Sequence, residues 1–97
     1  MELHVFARFH ARAGCEDAVA AALRDVVPPT LGEPGCLSID AYRSTRDLHL
    51  FHIHSCWTDE AAFDRHAELP HTVRFLACVQ PLIDHPLDIT RGHLLWC

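Results

Sequence analysis

The sequence predicts an α+β fold of ferredoxin-like β-α-β-β-α-β order, an antiparallel sheet with helices on one face. Three observations predict it. Apolar and polar residues alternate in four short runs, which is the period of half-buried strands. Two stretches of helical spacing separate the first run from the second and the third from the fourth. A Glu33-Pro34-Gly35-Cys36 turn stands before the second run, with Pro at its second position and Gly supplying a positive φ at its third.

Leu3, Val5, Ala7 and Phe9 alternate with His4, Phe6, Arg8 and His10 as the first strand, and Gly14 turns the chain. Cys15 to about Val27 reads as a helix: Val19, Ala22, Leu23 and Val26 recur on one face, and Glu16 and Asp17 lie at its start. Pro28-Pro29 closes it. Leu37, Ile39 and Ala41 mark a second strand, the polar segment from Arg43 to Asp47 suits a hairpin, and Leu48 to Cys56 is the third strand. Thr58 is the expected N-cap of the next helix, with Asp59 and Glu60 in its first turn. Pro70 restarts a segment running to about Ile83 that buries Val73, Leu76 and Ala77. Leu87 to Thr90 is the last strand, and Gly92 to Cys97 is an apolar tail.

The 97 residues suit a single domain, residues 1–97. A chain of this size buries only roughly 60–65% of its unfolded surface, so its stability is modest or shared with a partner chain. The net charge of −5 and the lack of any basic run argue against nucleic acid or an anionic membrane as partner. Protonation of all nine histidines would turn −5 into +4, so surface charge changes sign near or below the ordinary imidazole range. Cys15, Cys36, Cys56, Cys78 and Cys97 are widely spaced with no C-x-x-C, which reads as free thiols in a reducing compartment. No basic, apolar leader precedes the first strand, and no stretch reaches the length of a membrane span. The expected location is the cytoplasm.

Leu3, Val5, Phe9, Leu37, Ile39, Phe51, Ile53, Leu87 and Ile89 share one sheet face, which must meet the helices. His4, Phe6, Arg8, His10, Tyr42, Leu50, His52 and His54 share the other. An open face carrying Phe, Tyr and Leu needs a cover, and a second copy of the chain is the simplest one.

A candidate pocket forms where the third strand turns into a helix. Trp57 is expected at its mouth, able to stack on a flat ligand and donate its indole N–H. Phe63 and Ile53 supply apolar wall, and His66 or His71 is the candidate base. A core-edge tryptophan and a dipole-favoured helix-end histidine explain the same residues without a pocket. His66 and His71, five apart across Pro70, do not share a helical face and give no metal pair. His52 and His54 share a strand face and could hold iron or zinc with His4, His10 or Asp40; otherwise they are interface histidines bonded across strands. Cys36 and Cys56 read as packing thiols. No metal and no cofactor are assigned.

The succession Arg-Ala-Gly14, Glu-Pro-Gly-Cys36, Trp57-Thr-Asp, Ala-Ala-Phe63-Asp-Arg-His66 and Leu-Pro-His71 resembles the antibiotic biosynthesis monooxygenase (ABM) family over about residues 3–90. The resemblance implies a dimeric α+β barrel with a pocket between sheet and helices in each subunit. It also implies oxidation of anthrones or quinols by O₂ without metal or flavin in some members, and haem degradation in others. The chain departs from the family pattern at four places. Ser55 stands where most members have Glu, Ile53 and Phe63 where polyketide-oxidising members have Asn and Tyr, and Ala7 where haem-degrading members have Asn. The expected function is cofactor-independent monooxygenation of a quinol-like or electron-rich aromatic. The alternative is a non-catalytic, ligand-binding or sensing dimer, and a metal-dependent enzyme built on His52 and His54 is the third reading.

Overall fold

The computed structural model describes residues 1–96. The elements are β1 (Leu3–His10), α1 (Glu16–Leu31), β2 (Cys36–Arg43), β3 (Leu50–Trp57), α2 (Glu60–Glu68), α3 (Pro70–Val79) and β4 (Asp88–Gly92), with one 3-10 turn at Gln80–Leu82. The sheet order is β2-β3-β1-β4, and every neighbouring pair is antiparallel. β1 and β2 are joined through α1 yet are not neighbours, because β3 lies between them. This is the ferredoxin-like α+β arrangement read from the sequence.

Alternation in β1 survives without change. Leu3, Val5, Ala7 and Phe9 are buried under the helices, while Phe6 on the opposite face is half exposed. Two apolar clusters result. The larger joins Ala7, Phe9, Ile39, Phe51 and Ile53 to Val19, Leu23 and Val26 of α1 and Val79 of α3. The smaller joins Leu3, Val5 and Trp57 to Ala62 and Phe63 of α2.

Five local expectations are corrected. First, α1 does not stop at Val27 but continues through Pro28 and Pro29 to Leu31. The two prolines free the carbonyls of Arg24 and Asp25, both on exposed residues at the surface, where a free carbonyl costs little. Second, Asp59, not Thr58, caps α2, its carboxylate accepting the Ala62 N–H at 2.9 Å. Third, Leu37 is exposed. The β2–β3 register slips between Cys36 and Ser38, so the extra residue rephases the strand and turns Leu37 outward. Fourth, α3 buries Thr72 and Val79, with Phe75 packed on the core, and exposes Val73 and Ala77. Fifth, Leu87 is half-buried and precedes β4, and Ile89 is exposed on β4, an edge strand that pairs among the described residues with β1 alone. No helix among the described residues is long and apolar enough to cross a membrane.

Candidate active site

The site grows from one turn. Gly35 has φ +88, and the Cys36 N–H returns to the Glu33 carbonyl at 3.1 Å, closing the turn. A Cβ on Gly35 would stand 2.6 Å from Ala62 Cβ and 3.0 Å from Thr58 Oγ1. Only glycine lets this backbone lie against α2. That close approach brings the Glu33 side chain, only 6% exposed, under the helix ends.

Glu33 then gathers two histidines. His66 Nδ1 lies 2.8 Å and His71 Nε2 2.6 Å from the same atom, Glu33 Oε2. A carboxylate oxygen accepts, so the ring nitrogens that face it carry the protons. Thr72 Oγ1 shares His66 Nδ1 at 3.1 Å. The tautomer thus fixed leaves the Nε2 lone pair of His66 as its basic position. Two aromatic rings brace the imidazole: Trp57 with centroids 4.9 Å apart and Phe63 at 5.5 Å. The spacing of His66 and His71 gives no common helical face, yet they meet on one carboxylate. The break at Leu69, extended at φ −73 and ψ 147, reorients the chain between α2 and α3. Glu33, His66 and His71 offer ligand atoms within 4.8 Å of one another and could hold a metal. Their nitrogens are already satisfied by Glu33, so the group is complete as a hydrogen-bonded network.

Beside His66 lies a cavity of about 400 Å³ between sheet and helices, within the range of small-molecule sites. Val5, Ala7, Phe9, Ile39 and Ile53 form its floor, and Val26, Phe63, Phe75 and Leu76 its helical wall. Its polar groups are few: Thr30, Ser55, His66, Thr72 and Arg91. Thr30 is fully buried on α1, and its Oγ1 has no hydrogen-bond partner among the described residues. Ser55 Oγ accepts the Trp57 indole N–H at 3.0 Å, which leaves its own O–H for a ligand. Arg91 crosses the Phe63 ring at 4.8 Å and is held by Asp64 at 2.8 Å and Glu60 at 3.3 Å. Those hydrogen bonds, Asp64 first, raise its pKa further. Its remaining N–H groups have no partner among the described residues, which leaves them for an anion.

The expected site residues are thus divided. Ile53, Phe63 and His66 line the cavity. Trp57 does not stand at the mouth: it is fully buried, spends its N–H on Ser55 and supports the His66 ring. His71 lies behind Glu33 and lines a neighbouring cleft with Arg74 and Cys78. Glu33, Thr30, Thr72 and Arg91 were not singled out from sequence. Only Glu33 had a visible signal, its place in the Pro-Gly-Cys turn. Cys36 is a packing thiol whose pKa burial pushes up to about 11, with the Glu33 charge adding to the effect. Burial, and then Glu2, also raise the Cys56 thiol. Cys15, Cys36, Cys56 and Cys78 form no disulfide among the described residues; Cys97 lies outside them.

Known proteins share this fold and pattern. The family profile described as antibiotic biosynthesis monooxygenase matches residues 3–77. A Mycobacterium tuberculosis protein named as a candidate monooxygenase, Rv0793, is 34% identical over 88 residues, 89% of this chain and 84% of its own length. The solved structure of Rv0793 superposes with a TM-score of 0.92, at 29% identity, covering 98% of this chain and 96% of that one. The crystal structure of PA3566 from Pseudomonas aeruginosa gives a TM-score of 0.90 at 32% identity, covering 98% of this chain and 95% of that one. The chain belongs to the antibiotic biosynthesis monooxygenase family.

Proposed function

We propose that residues 1–97 act as one unit, a cofactor-independent monooxygenase of a flat, quinol-like or electron-rich aromatic. The observation that carries this reading is the apolar cavity with His66 on its wall, its Nδ1 held by Glu33. The arrangement supplies a positioned base and an orienting carboxylate, the pairing that general-base catalysis uses elsewhere.

His66 Nε2 takes the acidic O–H or C–H proton of the substrate. The Ser55 hydroxyl and Arg91 face the resulting anion and stabilise its charge in a site largely lined by hydrocarbon. The anion supplies the electron pair that forms a C–O bond to O₂. His66 returns its proton to the distal oxygen, giving a hydroperoxide. Loss of the proton on the oxygenated carbon and cleavage of the O–O bond leave a carbonyl and water. For a methylene the balance is R₂CH₂ + O₂ → R₂CO + H₂O; for a hydroquinone it is C₆H₆O₂ + O₂ → C₆H₄O₃ + H₂O. The substrate provides all four electrons, so the scheme calls on no redox group of the protein.

The half-exposed Phe6 and Tyr42 on the outer sheet face, with Leu94, Leu95 and Trp96 of the tail, support a homodimer in which a second copy covers them. Cytoplasmic residence fits the unpaired thiols. A second reading, a non-catalytic ligand-binding dimer, is favoured by Ile53 and Phe63, which line the cavity with hydrocarbon alone. Oxygen uptake with a panel of hydroquinones and anthrones separates the two. Uptake by metal-stripped protein that falls about 10²–10⁴-fold in His66→Gln supports the enzyme. Uptake that is unchanged in His66→Gln would sink the assignment of the base, and no uptake by native protein favours the binding reading.

A further inference from the structure

A second group of ligand-bearing side chains lies away from the cavity, where the start of β1 meets the end of β3. His4 and Cys56 are direct partners in the antiparallel ladder, so their side chains leave the sheet on one face. Glu2 precedes β1 and reaches the same place. Its Oε1 lies 3.5 Å from Cys56 Sγ. A carboxylate oxygen of Glu2, a ring nitrogen of His4 and the Cys56 sulfur all lie within 4.8 Å of one another. None of them takes part in the monooxygenase scheme.

The chemistry of this set is specific. One carboxylate, one imidazole and one thiol are the donor types of a zinc site, and the sulfur disfavours hard cations such as Mg²⁺ or Ca²⁺. A tetrahedral ion at ordinary Zn–S and Zn–O lengths sets an S···O separation of about 3.6 Å. The Glu2–Cys56 contact of 3.5 Å already has that edge. His4 carries a further sign. Its Nδ1 meets His54 Nε2 at 3.1 Å, and the two rings are within 9° of parallel. The other nitrogen of a zinc-bound histidine is usually hydrogen-bonded to a carboxylate, a backbone carbonyl or water, which fixes the ring and its tautomer, and here His54 Nε2 takes that place.

We propose that Glu2, His4 (through Nε2) and Cys56 bind a divalent cation of the zinc class, with His54 as the residue that positions His4. Three protein ligands leave a fourth position open, the arrangement of a zinc ion that retains a water molecule. The cation displaces the thiol proton on binding, so loading releases acid. It ties the N-terminal residues to β3, and it leaves the His66 cavity untouched.

Cobalt(II) titration of the reduced, full-length protein tests the site, with zinc as the displacing ion. The expected result is one cobalt per chain, with a thiolate-to-cobalt charge-transfer band and tetrahedral ligand-field absorption that zinc abolishes. Cys56→Ser removes the band. His54→Ala weakens binding about 10-fold or more, as loss of an outer-shell partner does elsewhere. Glu2→Gln, at an exposed residue whose replacement does not disturb the core, weakens it at least as much. Cys78→Ser, at the exposed cysteine, changes nothing. A band that persists in Cys56→Ser, cobalt bound without a thiolate band, or wild-type affinity in Glu2→Gln overturns the proposal. Circular dichroism of each variant shows that the fold is retained.

Discussion

Thr30→Val is the substitution with the clearest two-sided outcome. Thr30 is fully buried, and its Oγ1 has no hydrogen-bond partner among the described residues, yet it lines the cavity. A buried hydroxyl left unpaired costs about 1–3 kcal/mol of desolvation. Valine keeps the β-branched shape and replaces the hydroxyl with a methyl group. Helix propensities of the two residues are nearly equal, so α1 itself is indifferent to the change. With the lower end of that penalty relieved, about 1 kcal/mol, a domain of this size is expected to melt about 4–8 °C higher. The opposite sign is expected on binding. If Thr30 is held unpaired for a ligand oxygen, its loss removes one hydrogen bond, about 0.5–1.5 kcal/mol, or about two- to ten-fold in affinity. Scanning calorimetry measures the first effect. Quenching of tryptophan fluorescence by a naphthohydroquinone under nitrogen measures the second, independently of turnover. A lower melting temperature in Thr30→Val would show that the hydroxyl is satisfied in the free protein. Unchanged affinity would show that it does not face the ligand. Either result refutes the reasoning.

Three further outcomes follow from the same geometry. Glu33→Gln is expected to lower kcat for oxygen uptake about 10³-fold with KM little changed, because the carboxylate sets the His66 tautomer rather than touching substrate; a loss below threefold would remove Glu33 from the mechanism. Gly35→Ala is expected to destabilise the protein by about 2–4 kcal/mol in denaturant titration, through the positive φ and the 2.6 Å approach to Ala62 together; a stability equal to wild type would mean that the turn can move off α2. At the opposite end of β1, hydrogen bonding to Asp84 first, then to Asp47, raises His10 above its ordinary 6.5. A hydrogen bond from His10 lowers Asp84 below 3.8, and the His49 backbone N–H together with His10 lowers Asp47. The raised histidine contributes fully below 6.5 and is lost as pH rises through its folded value. The lowered carboxylates contribute above 3.8 and are lost as pH falls through theirs. Thermal stability is therefore expected to be greatest from roughly pH 4 to 6.5, and His10→Gln should flatten its alkaline decline.

What the sequence by itself determined is the order of elements and the face that β1 and most of β3 bury, while Leu37 of β2 and Ile89 of β4 are exposed against the pattern. The period of two in β1, and in β3 as far as Ser55, and the helical spacing of Val19, Ala22, Leu23 and Val26 are local patterns that burial follows; beyond Ser55 both faces of β3 are covered. The turn at Gly35 was equally legible, because a positive φ leaves a glycine in the sequence. The site was only partly legible. Ile53, Phe63 and His66 stand on the cavity wall because their elements carry them there. Trp57 is buried away from that wall, and nothing local shows that Ser55, two residues back on the same strand, takes its indole N–H. Thr30 was hidden by reading Pro28-Pro29 as a helix end, when the packing of Val26 and Thr30 carries α1 across them. The meeting of His66 and His71 on Glu33 was decided by the tertiary structure alone. A carboxylate 33 and 38 residues distant from its partners leaves no periodic trace, and only the packing of the Gly35 turn against α2 brings the three together.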